Sequence, residues 1–151
     1  MNTTFSYPKW EEIPSINLYL DQVLLYVNQI CPPASLDKEK GLTASMVNNY
    51  VKHGYISKPE KKKYQRKQIA RLIAITTLKS VFSIQEIAQT LNTLHTDTNS
   101  EELYNAFVDY MNEDIDPANP IIQASCQTVK LYHQTLALVY TETEKEETNE
   151  Y

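Results

Sequence analysis

The chain has 151 residues and a net charge of −5, from 14 Lys and Arg against 19 Asp and Glu. This length suits one domain with a real core, or a small module with a helical extension. The low glycine content, 2 Gly in the whole chain, disfavours β-sandwiches, Rossmann folds and phosphate-binding loops. These structures need glycine for positive φ and close backbone approach. We therefore predict an all-α fold.

Residues 1–15 are predicted to form an irregular leader, because two prolines there oppose a helix. Trp10 can anchor this leader on the core, and a ligand-stacking role is the alternative. Apolar residues at helical spacing then predict a helix over 16–30, with Ser15 as its cap. Cys31 and two prolines end that helix, and the loop that follows is polar.

A short helix and a basic turn come next. Thr43 is predicted to cap a helix that runs to His53, and Gly54 takes the glycine position at its C-terminal end. Residues 57–64 contain a Lys-Pro pair and three consecutive lysines. This composition predicts an exposed, positively charged tight turn or small hairpin.

The rest of the chain predicts four helices, at about 66–81, 84–94, 100–113 and 120–140. Ser83 and Glu86 form a capping box for the second of these, and Asn119 with Pro120 starts the last. The last helix carries two apolar rows, and so wide a face must pack on this domain or on a second copy. The acidic tail after Tyr140 has no apolar pattern and is predicted to be frayed or disordered.

Positive charge is concentrated in one segment. Ten of the 14 Lys and Arg residues lie between Lys40 and Lys79, where Glu60 is the one acid. The segment carries about +9 and the remaining residues sum to about −14. Fold stability gives no reason to separate charge in this way, whereas a polyanionic partner met by one face does. Nucleic acid is the first candidate for that partner.

Residues 42–91 resemble the winged helix-turn-helix head of the MerR class of bacterial regulators. The residues that carry the resemblance are Thr43 to Tyr50 for the recognition helix, Gly54-Tyr55-Ile56 for its end, Lys58-Pro59 and Lys62-Lys63-Tyr64 for the wing, and Phe82 to Ile87 for the fourth helix. The chain also resembles an uncharacterised bacterial family, a domain of unknown function expected to be MerR-like. Both resemblances imply a bacterial DNA-binding protein that acts in transcription regulation.

The resemblance implies an organisation and a set of DNA contacts. The predicted parts are the leader (1–15), a winged helix-turn-helix domain (16–95), a C-terminal helical extension that completes the core or forms a dimer (96–140), and an acidic flexible tail (141–151). Recognition-helix amides would face base edges and wing lysines would face phosphate. The implied contacts are Ser45, Asn48, Asn49, Lys52, His53, Lys58, Lys61, Lys62, Lys63, Tyr64, Arg66, Lys67 and Arg71.

Each group of implied contacts also has a purely structural explanation. The asparagines are then solvated surface residues, and Lys52 with His53 favours the negative end of the helix dipole. Tyr64 packs beneath the wing. The basic residues of the following helix are solvated or pair with acids of the C-terminal half.

Two functions follow as hypotheses. The first is a DNA-binding transcriptional regulator that contacts double-stranded DNA and is a homodimer through residues 100–140. The second is a protein-interaction adaptor that keeps the winged fold but binds an acidic protein. It is motivated by the acidic remainder of the chain and by Asn48-Asn49, which stand where the MerR class commonly has Arg-Tyr.

Catalysis and cofactors have little support in the sequence. The three histidines lie in different contexts without metal-ligand spacing, and no nucleophile elbow occurs. We predict no enzyme, no metal and no cofactor, and the sequence identifies no small effector. Without a signal peptide or an apolar run of about 18 residues, we predict a cytoplasmic protein with no membrane contact. Cys31 and Cys126 are then expected to be reduced, buried and inert.

Overall fold

A computed structural model of the chain describes residues 6–31, 41–95 and 99–149, with side chains up to residue 144. The described part is mainly helical, as predicted. The helices are α1 (Leu20–Ile30), α2 (Ala44–Lys52), α3 (Arg66–Leu78), α4 (Ile84–Leu94), α5 (Ser100–Glu113) and α6 (Pro120–Asn149). Two short strands, β1 (Leu18–Tyr19) and β2 (Lys63–Tyr64), pair antiparallel.

Helix α3 lies at the centre of the core and packs against α1, α4, α5 and α6. Its Ile69, Leu72 and Ile73 have no exposed surface. Burial of an aliphatic side chain of this size contributes about 1.5–3 kcal/mol. The helix is surrounded because its apolar residues cover most of its circumference, so it organises the elements on both sides of it.

The leader is held along α5, which supports an anchoring role for its aromatic residues. The Asn112 side chain pairs with the Tyr7 backbone, accepting from its N–H at 2.8 Å and donating to its carbonyl at 3.0 Å. The Tyr104 hydroxyl donates to the Pro8 carbonyl at 2.7 Å. Trp10 is half-buried, with its ring 6.2 Å from the Tyr104 ring. Residues 1–5 lie outside the described part.

Three predicted helix caps are confirmed. Thr43 Oγ1 accepts from the Met46 N–H at 3.2 Å. Ser83 and Glu86 exchange bonds of 3.2 and 2.9 Å, the reciprocal pair of a capping box. The Asn119 side chain accepts from the N–H groups of the first turn of α6 at 2.9 and 3.3 Å.

The start of the first helix is a correction. Helix α1 begins at Leu20, so Ser15 is not its cap, and Ile16, the first residue of the predicted helix, is 70% exposed. The reason is a tertiary contact, because Leu18 and Tyr19 are extended and pair with Tyr64 and Lys63. A pairing of two residues on each side has too short a pattern to be read from sequence.

Other boundaries differ by less or fall outside the described residues. Helix α3 ends at Leu78, before the predicted 81, and α6 continues past Tyr140 to Asn149. Most of the polar loop after α1, including Lys40, lies outside the described residues, as do residues 96–98. Among the described helices, none is long and apolar enough to cross a lipid bilayer.

The first apolar row of α6 is packed at its start but not at its end, where Val139 is 52% exposed, and the second row is not packed. Ile122, Cys126 and Val129 are buried against α5 and α3. The second row is exposed on the described surface, with Leu131 at 54% and Leu138 at 63%. The fold of one chain therefore leaves the second apolar row of this helix uncovered.

Candidate nucleic-acid interface

Helix α2 exposes one polar stripe. Ser45, Asn48, Asn49 and Lys52 are all exposed and stand at positions i, i+3, i+4 and i+7. Residues with this spacing lie on one face of an α-helix. Val47 and Tyr50 are buried on the opposite side, with 0% and 3% of their surface exposed. The four implied contacts on this helix therefore face solvent together, and we call them the polar stripe.

The start of α2 is held by Asn28 of α1. The Asn28 side chain accepts from the Leu42 N–H at 2.8 Å and donates to the Leu42 carbonyl at 2.9 Å. Gly41 permits this approach, because a Cβ there would lie 2.3 Å from Asn28 Oδ1. The Asn28 side chain thus fixes the backbone just before the first residue of the polar stripe.

The end of α2 is a Schellman motif. The Tyr55 N–H bonds to the Tyr50 carbonyl at 2.8 Å, and the Gly54 N–H bonds to the Val51 carbonyl at 3.1 Å. Gly54 has φ +78°, as its predicted position requires. The rings of Tyr50 and Tyr55 pack edge to face at 6.4 Å, which supplies the apolar contact usual in this motif. His53, the C-cap, is exposed and stacks on the Tyr55 ring.

The three lysines belong to a tight two-residue turn. Glu60 and Lys63 exchange backbone hydrogen bonds of 3.1 and 2.9 Å around Lys61 and Lys62. Both central residues have positive φ, +52° and +67°, which is the type I′ conformation that Asn-Gly favours. A lysine in this region costs about 1 kcal/mol. We call residues 58–63 the basic turn.

Strand β2 attaches the basic turn to the rest of the fold. Lys63 Nζ lies 5.0 Å from the centre of the Tyr19 ring, a cation–π contact between paired strands. The amide of Gln68 donates to the carbonyls of Ser57 and Lys58 at 2.8 and 3.1 Å. The turn is therefore held at both ends. Sequence patterns indicated neither Tyr19 nor Gln68, because both act through long-range contacts.

Three of the implied DNA contacts make structural contacts within the chain. Tyr64 is 3% exposed, so it packs beneath the turn. Arg66 donates twice to the Ile13 carbonyl, from Nε at 3.0 Å and from Nη2 at 2.8 Å. Arg71 donates from Nε to the Tyr55 carbonyl at 2.7 Å. Its partial burial lowers the pKa of the guanidinium.

The exposed lysines of the segment form no ion pairs in the described part of the chain. The ion pairs found there join Lys9 to Asp109 at 3.2 Å and Lys130 to Asp114 at 2.6 Å. No Lys or Arg from 52 to 79 pairs with a described acid. The predicted alternative, neutralisation by acids of the C-terminal half, is thus not what the described residues do, and the charges of the exposed lysines face solvent.

The two cysteines lie in the core of the described part of the chain. Cys31 and Cys126 are free and buried, and burial raises the pKa of each thiol to about 12. Both are therefore protonated thiols at neutral pH rather than nucleophilic thiolates. No cluster of three or more potential metal ligands occurs in the described part.

These elements define a mainly helical domain that presents to solvent a polar stripe and a basic turn without ion pairs to described acids. The chain belongs to the family described as Domain of unknown function (DUF1836), which matches residues 8–107. The match includes α1 to α4, the stripe and the basic turn, and it ends before α6. Comparisons with curated proteins and with solved structures found no match.

Proposed function

We propose that this protein is a DNA-binding transcriptional regulator with a MerR-like winged helix-turn-helix head. Helix α2 is the recognition helix and enters the major groove with the polar stripe. The basic turn is the wing and contacts flanking phosphates. The observation that carries the proposal is the exposure of this lysine-rich segment without ion pairs to described acids.

The two parts of the surface have different roles in this proposal. Asn48 and Asn49 present amides that can pair bidentately with adenine, while Ser45 reaches phosphate. Lys58, Lys61 and Lys62 supply charge, which gives affinity without sequence information. The strained backbone at the turn supports the proposal, because two lysines occupy positions where Asn-Gly fits better.

The homodimer is proposed to form through α6. Its exposed row follows a heptad spacing with Ile121, Thr128 and Thr135 at one position and Ala124, Leu131 and Leu138 at the other. The hydroxyls of Thr128 and Thr135 bond to helix carbonyls at 2.8 Å, so their polar atoms are satisfied within the helix. A two-fold pair of heads would match the two half-sites that helix-turn-helix dimers bind.

The test is duplex binding by fluorescence anisotropy over a salt series, with Lys61→Asn/Lys62→Gly as the variant. Each phosphate contact contributes about −0.9 to the slope of log affinity against log salt, so the slope should become shallower by about 2. The free energy of unfolding of the variant should also exceed that of the wild type by about 1 kcal/mol, because Asn-Gly suits the type I′ turn. A weaker binder that is more stable excludes misfolding as the explanation.

The control is Lys79→Gln, which removes a charge from an exposed residue of the same segment outside the proposed contacts. It should leave the slope within about half a unit of the wild-type value. An unchanged slope in the turn variant would refute the wing assignment. No duplex binding at low salt, with retention of an acidic protein through the same lysines, would favour the adaptor hypothesis.

A further inference from the structure

A cavity of about 380 Å³ opens between the segment after α2 and helices α3 to α6. Its volume lies in the range of small-molecule sites, about 300–1,000 Å³. Much of its wall is apolar, and the side chains that supply this surface include Ala70, Leu78, Leu91, Leu103, Phe107 and Ile122. The cavity is separate from the polar stripe and from the basic turn, since none of their residues lines it.

The polar part of the wall has one sign of charge. Lys67, Arg71 and His95 line the cavity, and no Asp or Glu is among its described lining residues. Arg71 uses Nε on the Tyr55 carbonyl, while Nη1 and Nη2 make no hydrogen bond or ion pair in the described part of the chain. A guanidinium in this state keeps its end-on pair of donors available for an oxyanion.

The three basic groups are close enough to act on one another. Burial lowers the pKa of His95, and the charges of Arg71 and Lys67 lower it further. No described carboxylate lines this end of the cavity, so its positive potential is not cancelled there. A partly buried charge without a counter-ion is an unfavourable arrangement that an anionic group relieves.

We infer that this cavity binds a small organic anion, a carboxylate attached to an apolar body such as a medium-chain acyl or arylalkyl group. Nη1 and Nη2 of Arg71 hold the carboxylate end-on, and Lys67 adds charge at the mouth. The apolar body lies against α4, α5 and α6. This binding does not depend on the proposed DNA contacts and goes beyond them.

The single tryptophan of the chain provides the measurement, because Trp10 lines the cavity. Full-length protein without DNA is titrated with decanoate and 4-phenylbutyrate, and fluorescence is checked by calorimetry. Decylamine, decan-1-ol and acetate are the matched probes that change the charge or remove the apolar body. We expect saturable one-to-one binding of the two acids, at least roughly tenfold tighter than any of the three control probes.

Three variants test the geometry. Arg71→Lys keeps the charge but removes the two-donor fork, and should weaken decanoate binding roughly tenfold. Ala74→Phe fills the cavity from α3 and should abolish binding while thermal unfolding still shows a folded protein. Lys61→Gln removes one charge from the basic turn and should leave decanoate affinity unchanged.

Either of two outcomes would overturn the inference. Equal affinity for decanoate, decylamine and decan-1-ol would show an apolar cavity without anion recognition. Unchanged decanoate binding in folded Ala74→Phe would place the acid elsewhere on the protein. Both readouts are made without DNA, so they stand or fall separately from the proposed function.

Discussion

Basic residues of the same segment differ in what surrounds them, and this decides which of them are available to a partner. Lys61 and Lys62 lie exposed at the tip of a strained turn, while Arg66 donates two hydrogen bonds to the Ile13 carbonyl. Arginine suits the binding of a backbone carbonyl because its planar guanidinium offers several donors in fixed geometry. Equal charge in the sequence therefore does not mean equal availability in the fold.

We predict that Arg66→Gln lowers the stability of the fold and leaves the electrostatic part of DNA binding unchanged. Hydrogen bonds from a charged donor contribute about 1.5–3 kcal/mol, so the free energy of unfolding should fall by about 2 kcal/mol. The slope of DNA affinity against salt should stay at the wild-type value, because the guanidinium is occupied by the leader. Urea unfolding and anisotropy measure the two effects, and a shallower slope in the folded variant would return Arg66 to the DNA contacts.

At the scale of elements, α2 is oriented by contacts at both of its ends together with its own buried face. Asn28 fixes its start through Leu42, and the Schellman motif at Gly54 fixes its end. Between these points Val47 and Tyr50 are buried, so the polar stripe has one direction in which to face. A helix held in this way can present side chains to a groove with little loss of conformational freedom.

We predict that Asn48→Ala/Asn49→Ala changes sequence preference and leaves electrostatics alone. A bidentate amide–adenine pair contributes about 1–3 kcal/mol of discrimination, so preference for a selected site over random duplex should fall roughly tenfold or more. The salt slope should not change, because neither residue is charged. Selection of bound fragments from a random library, repeated with the variant, measures the preference.

The matched control for this stripe variant is Gln85→Ala/Gln89→Ala, which removes two exposed amides from α4. It should bind the selected site as the wild type does. If the stripe variant keeps the full preference, α2 is not the reading helix, whatever the basic turn contributes.

At the scale of the whole molecule, α6 is the element least explained by the fold of one chain. It has 30 residues and therefore extends about 45 Å. Its first half packs on α5 and α3, while the exposed row continues beyond the core to Leu138. The family match ends before this helix begins. Leucine repeated at heptad spacing along one exposed face is typical of a helix pair.

We predict that Leu131→Glu/Leu138→Glu converts a dimer to a folded monomer. The two leucines are 54% and 63% exposed, so their replacement should cost little stability within one chain. Light scattering coupled to size exclusion measures the mass, and affinity for a two-half-site duplex should fall with it. Gln123→Glu/Gln127→Glu is the control, since both residues are exposed on α6 outside the heptad row. A monomeric wild type would contradict the prediction.

Much of the fold could be predicted because it depends on short-range signals. Thr43, the Ser83–Glu86 pair and Asn119 mark helix starts through bonds that span two or three residues. Gly54 marks a helix end for the same reason. The wrong prediction, by contrast, concerns a feature that depends on a long-range contact. The late start of α1 depends on a contact between Tyr19 and Lys63, which lie far apart in the chain.

By itself, the sequence determined the mainly helical class, three of the helix caps and the separation of charge, because each depends on residue type and local spacing. Only the tertiary structure decided which charged side chains face solvent. It assigned Arg66 and Arg71 to carbonyls, buried Tyr64, and placed Lys67, Arg71 and His95 around one cavity. These outcomes depend on which distant backbone groups approach each side chain, and packing around α3 determines that approach.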